Sequence, residues 1–580
     1  MPGEPFRVLM VDLTKGRGEY VNFGDRNAHL GGSGLAAALF EAYADVSAPA
    51  LAPEQPLIFA IGPLTGCYPL MSKTVCAFKS PYNEQYAESH AGGRLALALR
   101  FAGIDALVIR GKAANLTALA VGIRRLDFVD VHFLRGFDVF TTGKQLRKLH
   151  RSGAGHRSTL RIGPAGENQV AYACINVDTY RHFGRLGSGA VMGAKNLKAI
   201  VVDGGKSLPA PAGKDYGDVF KAIYDQVVDS GMMKKYHDLG TPENLLALNE
   251  LSALPWKNLQ STKEAAIENV SGEAFARDLL LRKAACAGCP VGCIHVGLLR
   301  EKYAANNDYL YRQVSYDYEP LFADGTMLGI TDAPGILAVM DEIERQGVDC
   351  MSAGVALAWA TEAAQKGAIG VSETIVPLTF GDVAGYREAV RHLGSRTNEF
   401  YRLLGQGTMA AAVKYKGEDY ACVLGQEMSG YATGEVFYIS QAMGVRHSHL
   451  DSGGYSYDQK HTEKDATKAI DFLVADEADR VVLTSMVSCL FARNVYTTET
   501  LGKALSAMGL SGMAENLPEA AQNIQKLRWK NKIACGFKPS EVKIPKRFYE
   551  VTNWKGQADP AYMEELKTYY ASRIDAIVNT

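Results

Sequence analysis

The chain has 580 residues, of which 47% are apolar and 22% charged, a composition typical of a globular protein with roughly two to four domains. Its 62 basic and 63 acidic side chains leave a net charge of −1, which argues against nucleic acid or an anionic membrane as a partner. No apolar run approaches the roughly 20 residues that span a bilayer, and the N-terminal segment has the pattern of a strand rather than a signal peptide, so we expect a cytoplasmic protein.

Short β-branched runs between Gly-containing turns predict strands in the first third of the chain. These runs are Arg7–Thr14, Leu57–Ile61, Ala106–Arg110 and Leu197–Asp203. The Gly- and Pro-rich stretch Gly204–Gly213 predicts a linker. Beyond it the apolar residues from Tyr216 to Val227 recur at i, i+3, i+4 and i+7, which predicts a helix.

Another helix is predicted from its two ends. Asp332 can cap its N-terminus, Pro334 falls in its first turn and Gly347 can stop it. The Ala-rich run Val355–Lys366 predicts a further helix, and the chain stays mostly helical beyond about residue 400, apart from a polar, Gly-rich stretch at Arg446–Gln459.

No long sequence repeat is visible. The pattern predicts an α+β fold with a β-rich N-terminal domain over residues 1–205. Two mainly α-helical domains follow, over residues 206–400 and 401–580.

Three cysteines lie within one short stretch, "CAGCPVGCIHV", as Cys286, Cys289 and Cys293. Thiolates with this spacing usually hold an iron–sulfur cluster or a zinc ion. The other seven cysteines are scattered, and six of them are interpreted as small buried hydrophobic residues. These six are Cys67, Cys76, Cys174, Cys350, Cys422 and Cys535.

Two Gly-rich loops in the first domain can bind an anion. In Tyr86–Gly103, Gly92 and Gly93 precede an apolar helix, so bare amides lie at a helix N-terminus. In Arg181–Ile200, glycines alternate with arginines, and backbone amides with guanidinium groups suit phosphate. A tight packing turn is the competing interpretation of each loop.

Two later segments contain candidate acid–base groups. Asp317 and Glu319 lie among aromatic residues in "VSYDYEPLF", where reduced hydration can raise a carboxyl pKa toward a useful range. His447 and His449 lie in "RHSHLDSGGY" and can converge on a ligand. The alternatives are a surface acid beside half-buried aromatic rings and an ordinary hydrogen-bond network.

The order and spacing of several motifs resemble the aldehyde ferredoxin oxidoreductase family of tungsten enzymes. The resemblance covers nearly the whole chain, and "GAVMGAKNLKAI" is its most specific segment. The other motifs are "LGGSGLAAALF" (Leu30–Phe40), "GPLTGCYP" (Gly62–Pro69), "AESHAGGR", "IGPAGEN" (Ile162–Asn168) and "PKRF" (Pro545–Phe548).

The resemblance implies two pterin cofactors that clamp one tungsten or molybdenum, a [4Fe–4S] cluster and a magnesium ion between the pterin phosphates. The cluster ligands would be Cys286, Cys289, Cys293 and the distant Cys489 in "SMVSCLFARN". The magnesium would be held by backbone carbonyls at the positions of Glu88 and Phe183.

Two D-x-x-G-L-(C/D) segments of the family hold the pterins. The first matches Glu344–Asp349, with Glu344 in place of the leading Asp. The second matches Thr484–Cys489, where Thr484 replaces the acid and Val487 the glycine. Lys73 stands where an arginine is expected. The remaining positions implied in cofactor binding are Ser89, Gly92, Gly93, Arg94, Arg181, Gly184, Arg185, Gly187 and Ser488.

The family's catalytic glutamate and histidine match Glu319 and His449, with His447 as the rival histidine. The implied activity is oxidation of small aldehydes to carboxylic acids, with electrons passing through the cluster to ferredoxin or to a ferredoxin-like iron–sulfur subunit. Either a heteromer with that subunit or a homodimer is compatible with the sequence. One alternative is reduction of an acyl-CoA or aromatic acyl-CoA within the same family, in a branch that uses a cysteine as a tungsten ligand, for which Cys67, Cys76 and Cys174 are the candidates. The other is a non-catalytic metal-binding or electron-transfer protein with zinc at the cysteine loop.

Overall fold

In a computed structural model of the chain, residues 3–150, 156–303 and 308–579 are described. The N-terminal part contains two six-stranded sheets that share one topology. The first sheet has the order β2-β1-β6-β3-β4-β5. Its strands are β1 (Phe6–Asp12), β2 (Arg17–Phe23), β3 (Leu57–Ala60), β4 (Thr74–Lys79), β5 (Tyr86–Ala91) and β6 (Ala106–Arg110).

The second sheet has the order β11-β10-β9-β12-β7-β8. Its strands are β7 (Thr117–Gly122), β8 (Arg125–Asp130), β9 (Arg157–Arg161), β10 (Ile175–Val177), β11 (Arg181–Phe183) and β12 (Leu197–Asp203). Adding six to each strand number of the first sheet gives the strand order of the second sheet, read in the opposite direction. Each sheet also contains one parallel pair, β1 with β6 in the first and β7 with β12 in the second. The domain is therefore a structural duplication, although no repeat is visible in the sequence.

The edge strands β5 and β11 contact each other, so the two sheets meet along these edges. Apolar side chains from both sheets form one shared core, in which the rings of Phe59 and Phe183 lie 5.5 Å apart. Six helices belong to this part of the chain. They are α1 (Arg26–His29), α2 (Gly32–Tyr43), α3 (Leu95–Ala102), α4 (Val139–Leu149), α5 (Pro164–Glu167) and α6 (Ser188–Ala194).

The middle of the chain is mainly helical, with one exception. Three antiparallel strands, β13 (Leu280–Ala284), β14 (Ile294–Lys302) and β15 (Tyr309–Tyr316), form a small sheet that the sequence analysis missed. The helices are α7 (Tyr216–Asp229), α8 (Gly231–Asp238), α9 (Glu243–Glu250), α10 (Gly272–Asp278), α11 (Tyr318–Ala323), α12 (Ala333–Gln346), α13 (Cys350–Gln365), α14 (Val371–Thr374), α15 (Val383–Ser395) and α16 (Glu399–Leu404).

The last part of the chain is helical apart from a two-stranded hairpin, and it shares one large core with the middle part. None of the helices in the described ranges is long and apolar enough to cross a membrane. The elements are α17 (Thr408–Tyr415), α18 (Glu435–Met443), α19 (Gly454–Lys460), α20 (Ala466–Ser485), α21 (Thr498–Ala507), α22 (Ser511–Glu515), α23 (Leu517–Ala534), α24 (Arg547–Glu550), β16 (Thr552–Asn553), β17 (Gly556–Gln557) and α25 (Pro560–Asn579).

The predicted α+β class is confirmed, and so are the individual predictions with strong local signals. Asp332 caps α12 by accepting a hydrogen bond from the amide of Gly335, and Gly347 ends the helix in the left-handed conformation. The Gly-rich stretch that begins at Arg446 stays without regular structure as far as Gly453 and then enters α19.

Candidate active site

A cavity of about 350 Å³ lies where the edges of the two sheets meet the C-terminal ends of α12 and α20. All three parts of the chain contribute to its wall. More than half of the predicted site residues line it. They are Lys73, Arg181, Gly184, Cys286, Cys289, Cys293, Glu319, Glu344, Asp349, His449, Thr484, Ser488 and Cys489.

Four cysteines meet at one end of the cavity. Cys286, Cys289 and Cys293 lie on the loop between β13 and β14, and Cys489 follows α20. The backbone of Leu70 joins the two, because its amide donates to the carbonyl of Gly288 (3.3 Å) and its carbonyl accepts from the amide of Cys489 (3.1 Å).

No three His, Cys, Asp or Glu groups converge on a single metal ion within the described ranges. A four-iron cluster binds each thiolate to a different iron, so its ligands surround a volume rather than meet at a point. Four half-buried thiols around one cavity end fit that requirement.

Two half-buried cations, Lys73 and Arg181, face the cysteines. Burial raises the pKa of Cys286, but Lys73 and Arg181 outweigh this effect and leave it below its ordinary value. Burial raises the pKa of Cys289 to about 11 and that of Cys293 to about 12. An added Cβ on Gly92 would lie 2.6 Å from Sγ of Cys286, so glycine is needed for this close approach of the turn after β5.

Half-buried Glu319 and buried His449 form a pair in the cavity wall. Nε2 of His449 lies 3.1 Å from Oε1 of Glu319, and the hydroxyl of Tyr431 donates to the same oxygen at 3.0 Å. Burial raises the pKa of Glu319, but these contacts outweigh it and leave that pKa below its ordinary value. Nδ1 of His449 has no partner within the described residues.

Asp317 lies in the same wall as Glu319. Burial and the neighbouring charge of Glu319 raise the pKa of Asp317 to about 6. Two carboxyl groups whose pKa values are pushed apart can take separate acid and base roles.

His447 is not part of the cavity wall. Its Nδ1 lies 2.9 Å from the carbonyl of Ala442, and its Nε2 lies 2.9 Å from Nζ of Lys532 and 3.0 Å from Oε1 of Gln85. Burial and the ammonium of Lys532 lower the pKa of His447 to about 3. The prediction of His447 as a catalytic histidine therefore has no support in the structure, because its ring nitrogens serve a structural network.

The two segments expected to hold pterins occupy equivalent positions. Each spans the C-terminal end of a helix, α12 or α20, and passes through a left-handed residue, Gly347 (φ 72°) or Val487 (φ 57°). Each also bridges to the N-terminal part of the chain. The donor–acceptor pairs are Cys174 N to Gly347 O (2.9 Å), Asp349 N to Tyr172 O (3.0 Å), Lys73 N to Val487 O (3.1 Å) and Cys489 N to Leu70 O (3.1 Å).

The first residues of the two segments, Glu344 and Thr484, make different hydrogen bonds. Oε1 of Glu344 accepts from Nδ2 of Asn176 (2.7 Å) and lies 2.8 Å from Nε2 of His182. The hydroxyl of Thr484 donates instead to the carbonyl of Val481 at 3.2 Å. The substitution therefore leaves no carboxylate at this position in the second half of the site.

The other predicted cofactor-binding residues surround the cavity without lining it. Arg185 holds Asp349 (Nε to Oδ2, 3.2 Å). Glu88 and Ser89 lie in β5 and Phe183 in β11, on the two facing sheet edges. The side chain of Glu88 is buried against Arg528 (2.7 Å). Gly93 and Arg94 line a separate surface cleft, and Gly187 precedes α6.

Two site residues, Tyr431 and Cys350, were not predicted from the sequence, and Cys174 was a candidate only for the acyl-CoA alternative. Tyr431 holds Glu319, and Cys174 and Cys350 reach the cavity wall, whereas the other four scattered cysteines do not line it. A tyrosine in "SGYATGEV" has no signal that separates it from a core residue. Cys350 directly follows the predicted cofactor-binding residue Asp349, and this adjacency is the sequence signal that places Cys350 near the site.

Two family models together match most of this chain. The model described as "Aldehyde ferredoxin oxidoreductase, N-terminal domain" matches residues 8–204, and "Aldehyde ferredoxin oxidoreductase, domains 2 & 3" matches residues 218–573. The chain belongs to the aldehyde ferredoxin oxidoreductase family. Members similar to this chain are named as oxidoreductases, and this chain is accordingly an oxidoreductase rather than a non-catalytic metal-binding protein.

The tungsten-containing aldehyde ferredoxin oxidoreductase of Pyrococcus abyssi is 31% identical over 440 residues, covering 73% of this chain and 70% of that protein. The enzyme of the same name from Pyrococcus furiosus is 32% identical over 424 residues, covering 72% and 68%. The aliphatic sulfonate oxidoreductase WOR-like subunit of Pyrococcus furiosus is 27% identical over 430 residues, covering 70% and 67%.

A solved structure extends the similarity to the whole fold of this family member. A chain of the active-site complex BamBC of benzoyl coenzyme A reductase with 1,5-dienoyl-CoA superposes with a TM-score of 0.80. The match covers 99% of this chain and 94% of that one at 21% identity. At this identity the match establishes the shared fold.

Proposed function

We propose that this protein oxidises small aldehydes to carboxylic acids and delivers the electrons to an iron–sulfur protein. The observation that carries the proposal is the pair Glu319–His449 in one cavity with four cysteines. The family of the chain makes aldehydes the first class of substrate to test.

The residues around the cavity fit the cofactors that the family implies, a tungsten or molybdenum held by two pterins with a magnesium ion, and a [4Fe–4S] cluster. Lys73 and Arg181 offer half-buried positive charge in the cavity wall, and the buried Nε of Arg181 has no partner within the described residues, which suits a phosphate. The two bridged segments, 344–349 and 484–489, would hold one pterin each, and the four cysteines would hold the cluster. When bound, these groups supply a two-electron acceptor and a one-electron exit.

The side chains of the cavity have separate tasks. His449 would donate a hydrogen bond to the aldehyde oxygen as negative charge develops there. Glu319, which favours its charged form, would accept a proton from the attacking water. In balance, an aldehyde and one water give a carboxylate, three protons and two electrons.

The first experiment is elemental analysis of anaerobically purified protein with pterin extraction, followed by aldehyde-dependent reduction of benzyl viologen. We expect tungsten or molybdenum, about four irons per chain, and aldehyde-dependent viologen reduction. Zinc without iron, or a fully loaded protein that reduces no viologen with any small aldehyde, would contradict the proposal.

A second candidate, reduction of an aromatic acyl-CoA, is favoured by the thiols of Cys174 and Cys350 in the cavity wall. The acyl-CoA branch of the family uses a cysteine as a ligand to tungsten. Of the three candidates considered from the sequence, Cys174 lines the cavity, whereas Cys67 and Cys76 do not. Reduced viologen oxidised by benzoyl-CoA, with no response to aldehydes, would favour this second activity.

A further inference from the structure

A second large concavity opens beside the cysteine loop. It is a surface cleft of about 890 Å³ between α4 and β9 on one side and the small sheet β13–β15 on the other. This cleft was not predicted from the sequence, and the proposed chemistry does not use it.

The cleft is strongly basic in a chain whose net charge is −1. Its lining contains two acidic side chains, Asp178 and Asp341, against nine basic ones. The basic residues are Arg94, Lys144, Arg147, Arg157, Arg161, Arg181, Arg282, Arg312 and Arg345.

Most of this charge is not neutralised locally. Arg312 and Arg345 both pair with Asp341, at 2.8 Å and 2.7 Å. The other seven basic residues form no ion pair with any described residue. Lys144 and Arg147 are exposed on α4, where such charges act on approaching molecules over about a Debye length.

The cleft is continuous with the predicted electron exit. Ala285 and Ile294, which directly flank the three-cysteine loop, line it. The carbonyl of Gly93, also in its lining, accepts a hydrogen bond from the amide of Ala287 inside that loop (3.0 Å). Arg181 lines both the cleft and the cavity.

We infer that the basic cleft is the docking site of an acidic electron-transfer protein. The inference rests on the proposed function, because that function needs a partner that removes electrons. Two one-electron transfers to two oxidised ferredoxins balance the oxidation of one aldehyde. A partner seated here would lie against both ends of the cysteine loop, which keeps the electron path short.

A protein surface fits this cleft better than a compact anion. The seven cations without an ion pair are spread over the turn after β5, α4, β9, β11 and β13 rather than converging on one point. The cleft also presents Tyr311, which is 62% exposed, and aromatic residues are enriched at protein interfaces. Charges of this kind mainly set the rate of association.

The test uses the loaded full-length enzyme and the double variant Lys144→Glu/Arg147→Glu. The second-order rate of reduction of a recombinant acidic ferredoxin is measured by stopped flow between low and high salt, and its affinity by calorimetry. We expect the rate at low salt to fall by about tenfold to a hundredfold, with a flatter salt dependence, while aldehyde-dependent viologen reduction is unchanged.

The matched control is Lys530→Glu/Lys543→Glu, which reverses two exposed lysines that form no ion pair with any described residue. The milder variant Lys144→Gln/Arg147→Gln should give an intermediate rate. Equal ferredoxin rates in the α4 variant and the control would overturn the docking site.

Two further results separate the possible failures. If dithionite-reduced protein binds ferredoxin in this charge-dependent way but oxidises no aldehyde, the proposed function fails and the docking site stands. If the wild type binds adenosine 3′,5′-bisphosphate and the α4 variant loses that binding while keeping its ferredoxin rate, the cleft holds a nucleotide and the docking inference is wrong.

Discussion

The Glu319–His449 pair leads to the most direct prediction. We expect Glu319→Gln and His449→Gln each to lower kcat/KM for a small aldehyde by about 10²- to 10⁴-fold, the usual contribution of a positioned acid or base. The measurement is aldehyde-dependent viologen reduction, normalised to tungsten and iron content so that cofactor loss is not mistaken for lost chemistry.

His447 provides the control for this pair. His447→Gln should lower the melting temperature, because the ring lies against Lys532 and the carbonyl of Ala442, while turnover per tungsten stays near that of the wild type. Equal losses of turnover in the two histidine variants would contradict the assignment of His449.

Tyr431 is predicted to tune Glu319. Its hydroxyl donates to the carboxylate, which favours the charged form and lowers the pKa of Glu319. Tyr431→Phe should therefore raise that pKa by about one unit, the equivalent of one charge-assisted hydrogen bond. The acidic limb of the pH profile of kcat/KM should move to higher pH by the same amount.

The control for Tyr431 is Tyr455→Phe. The ring of Tyr455 stacks on Tyr431 with centroids 4.7 Å apart, but the pKa of Glu319 is lowered through His449 and Tyr431. An equal shift of the acidic limb in both variants would show that packing, rather than the Tyr431 hydroxyl, sets this pKa.

Asp317 makes stability depend on pH. Folding raises its pKa from 3.8 to about 6, so ionisation destabilises the native state as pH rises through that interval, and the penalty is absent below the unfolded pKa. Asp317→Asn should therefore raise the free energy of unfolding at pH 8 by about 2–3 kcal/mol. Thermal melts of the wild type and the variant between pH 4 and 8 check this prediction. A gain in stability that is the same at every pH would show that ionisation of Asp317 is not its cause.

Between elements, the Gly-rich motifs explain how the first and last parts of the chain meet. A Cβ on Gly62 would lie 2.5 Å from the carbonyl oxygen of Met486, just beyond α20. We expect Gly62→Ala to cost about 1–3 kcal/mol, as overpacking does, and to lower tungsten retention on gel filtration, since the 484–489 segment must move.

Gly217→Ala is the matched control for Gly62. Gly217 is exposed within α7, and nothing lies within 4 Å of an added Cβ, so alanine should stabilise the helix by about 0.5–1 kcal/mol. A loss of stability from Gly217→Ala, or none from Gly62→Ala, would contradict the close-contact explanation.

Elements with strong local signals were predictable from the sequence, and elements that depend on distant pairing were not. The cap and stop residues of α12 are local, so both ends of that helix were predicted correctly. The strand β13 is half exposed along its length, which removes the alternation that marks a strand. The duplicated topology of the two sheets lies in strand order, which no local pattern records.

The same contrast holds within the site. The three-cysteine loop is a local pattern, whereas Cys489 was reached only through a family resemblance, which also favoured His449 over His447. His447 and His449 could not be separated from the sequence, because the backbone at His447 is left-handed (φ 51°) and turns the two rings into different environments. The partners of the His447 ring, Gln85 and Lys532, lie far away in the sequence.

Across the whole molecule, the cavity exists only where three parts of the chain meet. The duplicated sheets present facing edges, and each of the two bridged segments reaches back to one half of the duplication. Val348 bridges to Ala173 in one half, and Ser488 bridges to Met71 in the other. Domain assembly and cofactor binding should therefore stabilise each other.

Cys489 offers the clearest test of that assembly, because it brings the last part of the chain to a loop in the middle part. We expect Cys489→Ser to lower iron below about four per chain, to weaken the visible absorbance of the cluster and to slow ferredoxin reduction. Cys535→Ser is the control, since Cys535 is buried away from the cavity and should keep full iron content. A Cys489→Ser protein with a complete cluster would show that the fourth ligand comes from elsewhere.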